Sequence, residues 1–201
     1  MTPIDSLDAL HAIYGQPSEA AKAKVLDHLT PAYAAFIQRS RFCILTTVGP
    51  EGTDGSPRGD DGPAVRILDA HTLAMPDWKG NDRIDSLRNI VRDGRFSLMF
   101  LVHGSNNAMR INGTARLTAD ETLRASFARG DLLPRTVILF RVAEVYSQCA
   151  RAVLRSGLWS RGPDADGLPT VGDMLKEATE GRFDGHIYDR EWAARAAKTM
   201  W

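Results

Sequence analysis

From Phe42 to Tyr146 the chain breaks into short runs rich in β-branched, aromatic and aliphatic residues, each bounded by turn signals. That spacing is the signature of an antiparallel meander or a small barrel. The runs are Phe42–Val48, Ala64–Leu68, Thr72–Met75, Phe96–Val102, Ala108–Leu117 and Thr136–Tyr146. A helix expected over Arg83–Val91 interrupts them, with Ile84, Leu87, Ile90 and Val91 at the spacing of one face. A second helical insert, Asp120–Ala128, opens with an acidic first turn that suits the helix dipole. This order does not build a βαβ unit, and no glycine-rich dinucleotide or P-loop motif occurs. A bound phosphate must therefore be held another way.

Both ends read as helical. Ser6–Tyr14, Ser18–Leu29 with Ser18 as N-cap, and Pro31–Gln38 with proline in the first turn precede the strands. Leu7, Leu10, Ile13 and Tyr14 recur at helical spacing, so these helices are expected to pack on a sheet. After Tyr146 the chain turns helical again, crosses a loop over Gly157–Pro169, and ends in Val171–Ala178 and Arg190–Lys198. At 201 residues the expectation is a single domain: helices over 1–40, a strand-rich body over 41–147 and a helical extension over 148–201.

Composition narrows the function. Lys plus Arg equals Asp plus Glu, 25 against 25, so no global field attracts nucleic acid or an anionic membrane, and an anion site must be assembled locally. No apolar run is long enough to span a bilayer and the first residues lack a leader pattern, which reads as cytoplasmic. Cys43 and Cys149 give neither a disulfide framework nor a metal cluster, and both are expected to be reduced packing residues. The five histidines are scattered without paired spacing, so no metal site is expected. Ser56 and Ser156 lack the nucleophile-elbow context of a serine hydrolase.

The densest polar cluster is Ser56-Pro-Arg-Gly-Asp-Asp61, followed by Arg66 and by the segment Asp77–Ser86. Arg58, Arg66, Lys79, Arg83 and the Ser86 hydroxyl are chemically sufficient for a phosphate dianion if they converge on a helix N-terminus. The competing reading is a turn and a helix start carrying solvated ion pairs worth little. Arg110 and Asn112 alternate with Met109 and Ile111, so the polar pair faces away from the core, either on an exposed ladder or on a cleft.

The ordered set Cys-Ile-Leu-Thr-Thr-Val, Ser-Pro-Arg-Gly-Asp, Val-Arg-Ile-Leu-Asp, Leu-Ala-Met-Pro-Asp, Gly-Asn-Asp-Arg-Ile-Asp-Ser-Leu-Arg-Asn-Ile and Met-Arg-Ile-Asn-Gly-Thr-Ala, spanning Cys43 to Asp120 and continuing to Trp159, covers about two thirds of the chain. It resembles the pyridoxamine 5'-phosphate oxidase-like FMN-binding split β-barrel superfamily, within it a subgroup of FMN-dependent proteins of unassigned reaction. The resemblance implies an α+β, mainly β fold: an antiparallel, Greek-key-like split barrel with N- and C-terminal helices. It also implies a homodimer with FMN in a cleft between subunits.

Carried onto this chain, the resemblance implies isoalloxazine neighbours along the backbone of Val65, Arg66, Ile67 and Leu68. Phosphate and ribityl partners would be Arg58, Arg66, Asn81, Arg83 and Ser86, with Lys79 a weaker candidate, and Met75 and Pro76 would lie where the cofactor wraps the strand end. Arg110 and Asn112 would be further cofactor contacts, on a strand that helps build the dimer interface and brings Asn112 to the partner subunit. Trp159 would either cover the flavin from the other subunit or close the core.

Oxidases acting on pyridoxamine phosphate end in an Arg-x-His-type segment, which Trp192–Trp201 lacks. The expectation is an FMN-dependent oxidoreductase of unassigned catalytic residues, acting on a small molecule or electron donor. A flavin-binding protein without turnover and a deazaflavin-binding barrel stay open. A haem-binding barrel stays open too, though no histidine is placed to favour it.

Overall fold

A computed structural model describes residues 2–200. Seven strands form one antiparallel sheet: β1 (Phe42–Gly49), β2 (Gly52–Gly59), β3 (Arg66–Asp69), β4 (Thr72–Asp77), β5 (Arg95–Leu101), β6 (Ala108–Thr118) and β7 (Thr136–Gln148). Their order across the sheet is β2-β1-β5-β6-β7-β4-β3. The sheet curls without closing, because its two edge strands, β2 and β3, hydrogen-bond only to β1 and β4 respectively. This is the split-barrel arrangement that the motif order implied.

The core follows from strand alternation. Cys43 and Leu45 on β1, Phe96, Leu98 and Phe100 on β5, Met109 and Ile111 on β6, and Ile138 and Phe140 on β7 are buried in one cluster. Leu73 and Met75 from β4 complete it. Phe96 and Phe140 meet with ring centroids 4.6 Å apart and tilted planes, a favoured aromatic geometry.

Strand β2 was not legible as a strand. Gly-Thr-Asp-Gly-Ser-Pro-Arg-Gly has turn composition, yet it pairs with β1 from Gly49↔Gly52 to Phe42↔Gly59. The position at the sheet edge explains the tolerance: Pro57 pairs with Ile44 on a strand whose other side needs no ladder bonds. The tertiary pairing overrides the local propensity.

The described residues also form eight helices: α1 (Leu7–His11), α2 (Glu19–Ala23), α3 (Pro31–Arg39), α4 (Asp85–Arg92), α5 (Glu121–Ala125), α6 (Arg151–Ser156), α7 (Val171–Ala178) and α8 (Gly185–Thr199). Ser18, Thr30 and Asp120 accept hydrogen bonds from backbone amides as N-caps, as the sequence pattern indicated for Ser18. α2 is shorter than expected, because Leu26 leaves the helix to bridge Val145 of β7. The expected packing of the first helix on the sheet does not occur. α1 has no buried residue, and Leu7, Ile13 and Tyr14 are exposed. The expected apolar face of α4 is also corrected: Ile90 and half-buried Leu87 face β1, while Ile84 and Val91 are exposed. The last helix begins at Gly185, earlier than expected, since Asp184 caps it. There Gly185 and Gly172 of α7 come so close that a Cβ on either would meet the other's carbonyl oxygen at 2.2 Å.

α4 is locked to β1 by a polar contact. Asn89 Nδ2 donates to Thr47 Oγ1 at 3.2 Å, and both residues are buried. A Cβ at Gly49 would meet Asn89 Oδ1 at 2.1 Å. A second close approach lies in the sheet, where the β6/β7 register shifts between Asn112 and Gly113. A Cβ at Gly113 would meet Arg141 O at 2.0 Å.

The two cysteines part company. Cys43 is fully buried, and burial pushes its thiol up to about 12, whereas Cys149 is exposed and is no packing residue. A raised thiol pKa keeps Cys43 protonated throughout the neutral range. A colorimetric thiol titration at pH 8 therefore gives one fast-reacting thiol per native chain and two after denaturation. The Gly113→Ala variant is expected to lose about 2 kcal/mol or more in urea denaturation, because rigid backbone cannot move aside for the new methyl group.

Candidate functional site

The open edge of the sheet forms a cleft of about 700 Å³, within the range of small-molecule and cofactor sites. Its walls are β2 from Asp54 to Gly59, the end of β4 with the following loop, the start of α4, and Arg135 and Thr136 at the start of β7. β2 and β4, which do not pair in the sheet, face one another here. Arg58 of β2 reaches across to Asp77 of β4, NH1 to Oδ1 at 2.9 Å, and both side chains are largely buried.

The loop leading into α4 has an unusual backbone. Asp82 and Ile84 both take positive φ, 60° and 52°. The left-handed region is costly for a β-branched residue and is a recurrent feature of functional loops. Ile84 is the N-cap of α4 and gives no side-chain cap, so the first amides of the helix stay available beside cleft-lining Asp85, Ser86 and Leu87. Ser86 is buried, and its hydroxyl donates to Asp54 Oδ2 at 2.5 Å. Among the described residues, two buried polar atoms of cleft-lining residues have no partner, Arg58 Nε and Thr136 Oγ1. Such atoms are expensive to leave unmatched and are natural contacts for a ligand.

The cleft's three arginines are already engaged. Arg135 NH1 bonds Asp82 Oδ1 at 2.6 Å and Arg83 Nε bonds Asp85 Oδ2 at 3.0 Å, both on the exposed rim. Asp60, at the corner of the cleft, pairs with Arg129. These aspartates, together with Arg135 and Thr136, were not among the residues singled out from the sequence. Isolated aspartates in a turn-rich stretch carry no spacing signal, and Arg135 lies about fifty residues from the segment it joins.

Arg58, Met75, Pro76, Lys79, Asn81, Arg83 and Ser86 therefore line one cleft. Asn81 Oδ1 accepts from the Arg83 amide at 3.2 Å, which braces the loop. Arg66 does not join them. Its guanidinium donates to Ser126 Oγ and O, both at 2.8 Å, and stacks on Phe127 at 3.7 Å from the ring centroid. With Val65 and Ile67 it lines a neighbouring recess of about 530 Å³, which shares Asp60, Pro76 and Trp78 with the cleft. Leu68 lines neither recess and is exposed.

Arg110, Asn112 and Trp159 lie away from both recesses. Arg110 stacks toward Tyr146 and Asn112 donates to Glu144, on the sheet face opposite the core. Trp159 Nε1 donates to Ser105 O at 2.7 Å in the β5–β6 turn, with His103 edge-on to its ring.

The chain resembles several solved structures. A protein from Lactobacillus delbrueckii, provisionally named a pyridoxamine 5'-phosphate oxidase, is 20% identical with a TM-score of 0.50, over 60% of this chain and 95% of its own. HupZ of Group A Streptococcus is 20% identical with a TM-score of 0.48, over 59% and 93%. An FAD binding protein from Mycobacterium smegmatis is 13% identical with a TM-score of 0.42, over 61% and 97%. No curated protein sequence gives a significant match. The family profile described as pyridoxamine 5'-phosphate oxidase matches residues 29–149, the whole strand-rich body and more than half of the chain. The chain belongs to the pyridoxamine 5'-phosphate oxidase family.

Proposed function

We propose that the chain binds FMN in the cleft at the sheet's open edge and acts as an FMN-dependent oxidoreductase on a small molecule. The observation that carries this reading is the coincidence, in one cleft of cofactor size, of an uncapped helix N-terminus with the unpartnered Arg58 Nε and Thr136 Oγ1. Those donors suit a phosphate monoester. In this reading Arg83, Arg135 and the first amides of α4 hold the phosphate, and Ser86 and Asn81 brace the loop around it. The recess lined by Val65, Arg66 and Ile67 continues past Pro76 and Trp78 and offers room for the flat ring. The bound flavin would supply hydride or electron transfer. The chain's own residues bind, orient and exclude water, so no protein acid or base is required.

The second subunit of this reading docks on the outer sheet face. Ile44, Met99, Arg110 and Tyr146 stand in register across β1, β5, β6 and β7, and partly exposed Phe42 and Leu101 extend the row. A sheet face with this apolar content is a natural partner surface. Arg110, Asn112 and Trp159 serve the site in this reading from the partner's side.

The test is a spectrum. Protein purified without added cofactor, or titrated with FMN, is expected to show flavin absorbance and a mass for FMN in the released ligand; a colourless protein that leaves FMN fluorescence unchanged would overturn the reading. Light scattering after size exclusion is expected to give twice the 22.1 kDa chain mass, and a monomer at micromolar concentration would remove the dimer. The Arg58→Ala/Arg83→Ala double variant is expected to bind FMN about tenfold or more weakly while riboflavin binding is unchanged, with circular dichroism reporting the fold.

A further inference from the structure

The charges lining the cleft do not favour an anion. Arg58, Lys79, Arg83 and Arg135 face Asp54, Asp60, Asp77, Asp82 and Asp85, so carboxylates outnumber cations. Three of those arginines hold an aspartate at 3.0 Å or less. The pairs are of two kinds. Arg58–Asp77 is largely buried, with side-chain exposures of 23% and 14%, and breaking it would leave a half-desolvated carboxylate alone. Arg135–Asp82 and Arg83–Asp85 are exposed on the rim, at 56% and 62% and at 77% and 37%, where an ion pair is weak and readily exchanged. The loop geometry places both rim aspartates beside the arginines they occupy, since Asp82 and Ile84, on either side of Arg83, take the left-handed conformation.

We propose that Asp82 and Asp85 are internal competitors for the phosphate group: each occupies a rim arginine until a ligand phosphate displaces it. The device sets specificity. A ligand with one phosphate exchanges two weak pairs for two similar ones and gains little. A ligand with a terminal diphosphate or a polycarboxylate tail brings more charge than Arg83 and Arg135 can neutralise even with Lys79 beside them, and gains less still. This rests on the reading of the cleft as a flavin site only for the identity of the ligand; the competition itself concerns any phosphate.

The test titrates wild-type protein and the Asp82→Asn variant with riboflavin and FMN by flavin fluorescence, and with inorganic phosphate and pyrophosphate by calorimetry. Wild type is expected to bind FMN at most about thirtyfold more tightly than riboflavin, where two uncontested charged contacts would give on the order of a thousandfold. Inorganic pyrophosphate, with its higher charge, is expected to bind more weakly than inorganic phosphate. Asp82→Asn frees Arg135 and is expected to strengthen FMN and inorganic phosphate binding about fivefold, leaving riboflavin within twofold.

A thousandfold FMN preference in wild type, or an Asp82→Asn variant with unchanged or weaker phosphate affinity, would overturn the competition. Absence of flavin binding with the phosphate gain preserved would sink the cofactor reading and leave the competition standing. Absence of both would sink the two together. Because Asp82 is exposed and its carboxamide keeps the same shape, the variant is expected to fold; an Asp85→Asn variant read the same way guards against a local rearrangement.

Discussion

The open edge of the sheet is the constraint on which the rest of this structure depends. A curled antiparallel sheet whose end strands do not pair must cover that gap or leave unmatched backbone there. Here the chain crosses from β2 to β3 with Asp60 N and Ala64 N donating to Arg41 O and Ser40 O. The remaining gap is spanned by side chains, above all by Arg58 reaching Asp77. A gap held by one charged pair instead of a ladder is a cleft. Cleft and open sheet are thus one fact seen from two sides.

Much of the architecture could be read from the residues. Period-two burial on β1 and β5 and the cap at Ser18 are strong local signals, and the ordered motifs identified the family. Strand β2 was hidden because its three glycines and one proline carry turn chemistry, and only edge pairing with β1 makes it extended. The α1 helix misled in the opposite direction: Leu7, Leu10, Ile13 and Tyr14 keep a regular spacing, yet no element among the described residues buries them. Periodicity shows that a face exists and does not show what meets it.

The site was legible in its cations and only in part in its anions, where the competing reading of exposed ion pairs holds for Arg83 with Asp85. Arg58, Arg83 and Ser86 stand out because basic and hydroxyl residues ahead of a helix suggest an anion site, and the fold brings them to one cleft. Arg66 shares that chemistry but points across the β3 edge to Ser126 and Phe127, since one step along a strand changes the side it serves. Asp77 and Asp82 meet Arg58 and Arg135 only through the fold, whereas Asp85 lies two residues from Arg83. Their presence changes the electrostatic reading from a basic pocket to a balanced one.

The register shift opposite Gly113 reaches beyond its own position. Along β7, Ile138, Phe140 and Val142 point into the core, but past the shift it is Val145 that does so, with Ala143 left over as the extra residue. Were Ala143 paired in a regular ladder, Glu144 would fall in phase with the core side chains and Val145 with the outer face. One unpaired alanine therefore acts as a phase shifter in a 13-residue strand. It lets a single stretch of chain carry two independent inward and outward patterns, one for each half of the sheet, with a hydrogen at Gly113 as the only side chain slim enough to permit the change of phase.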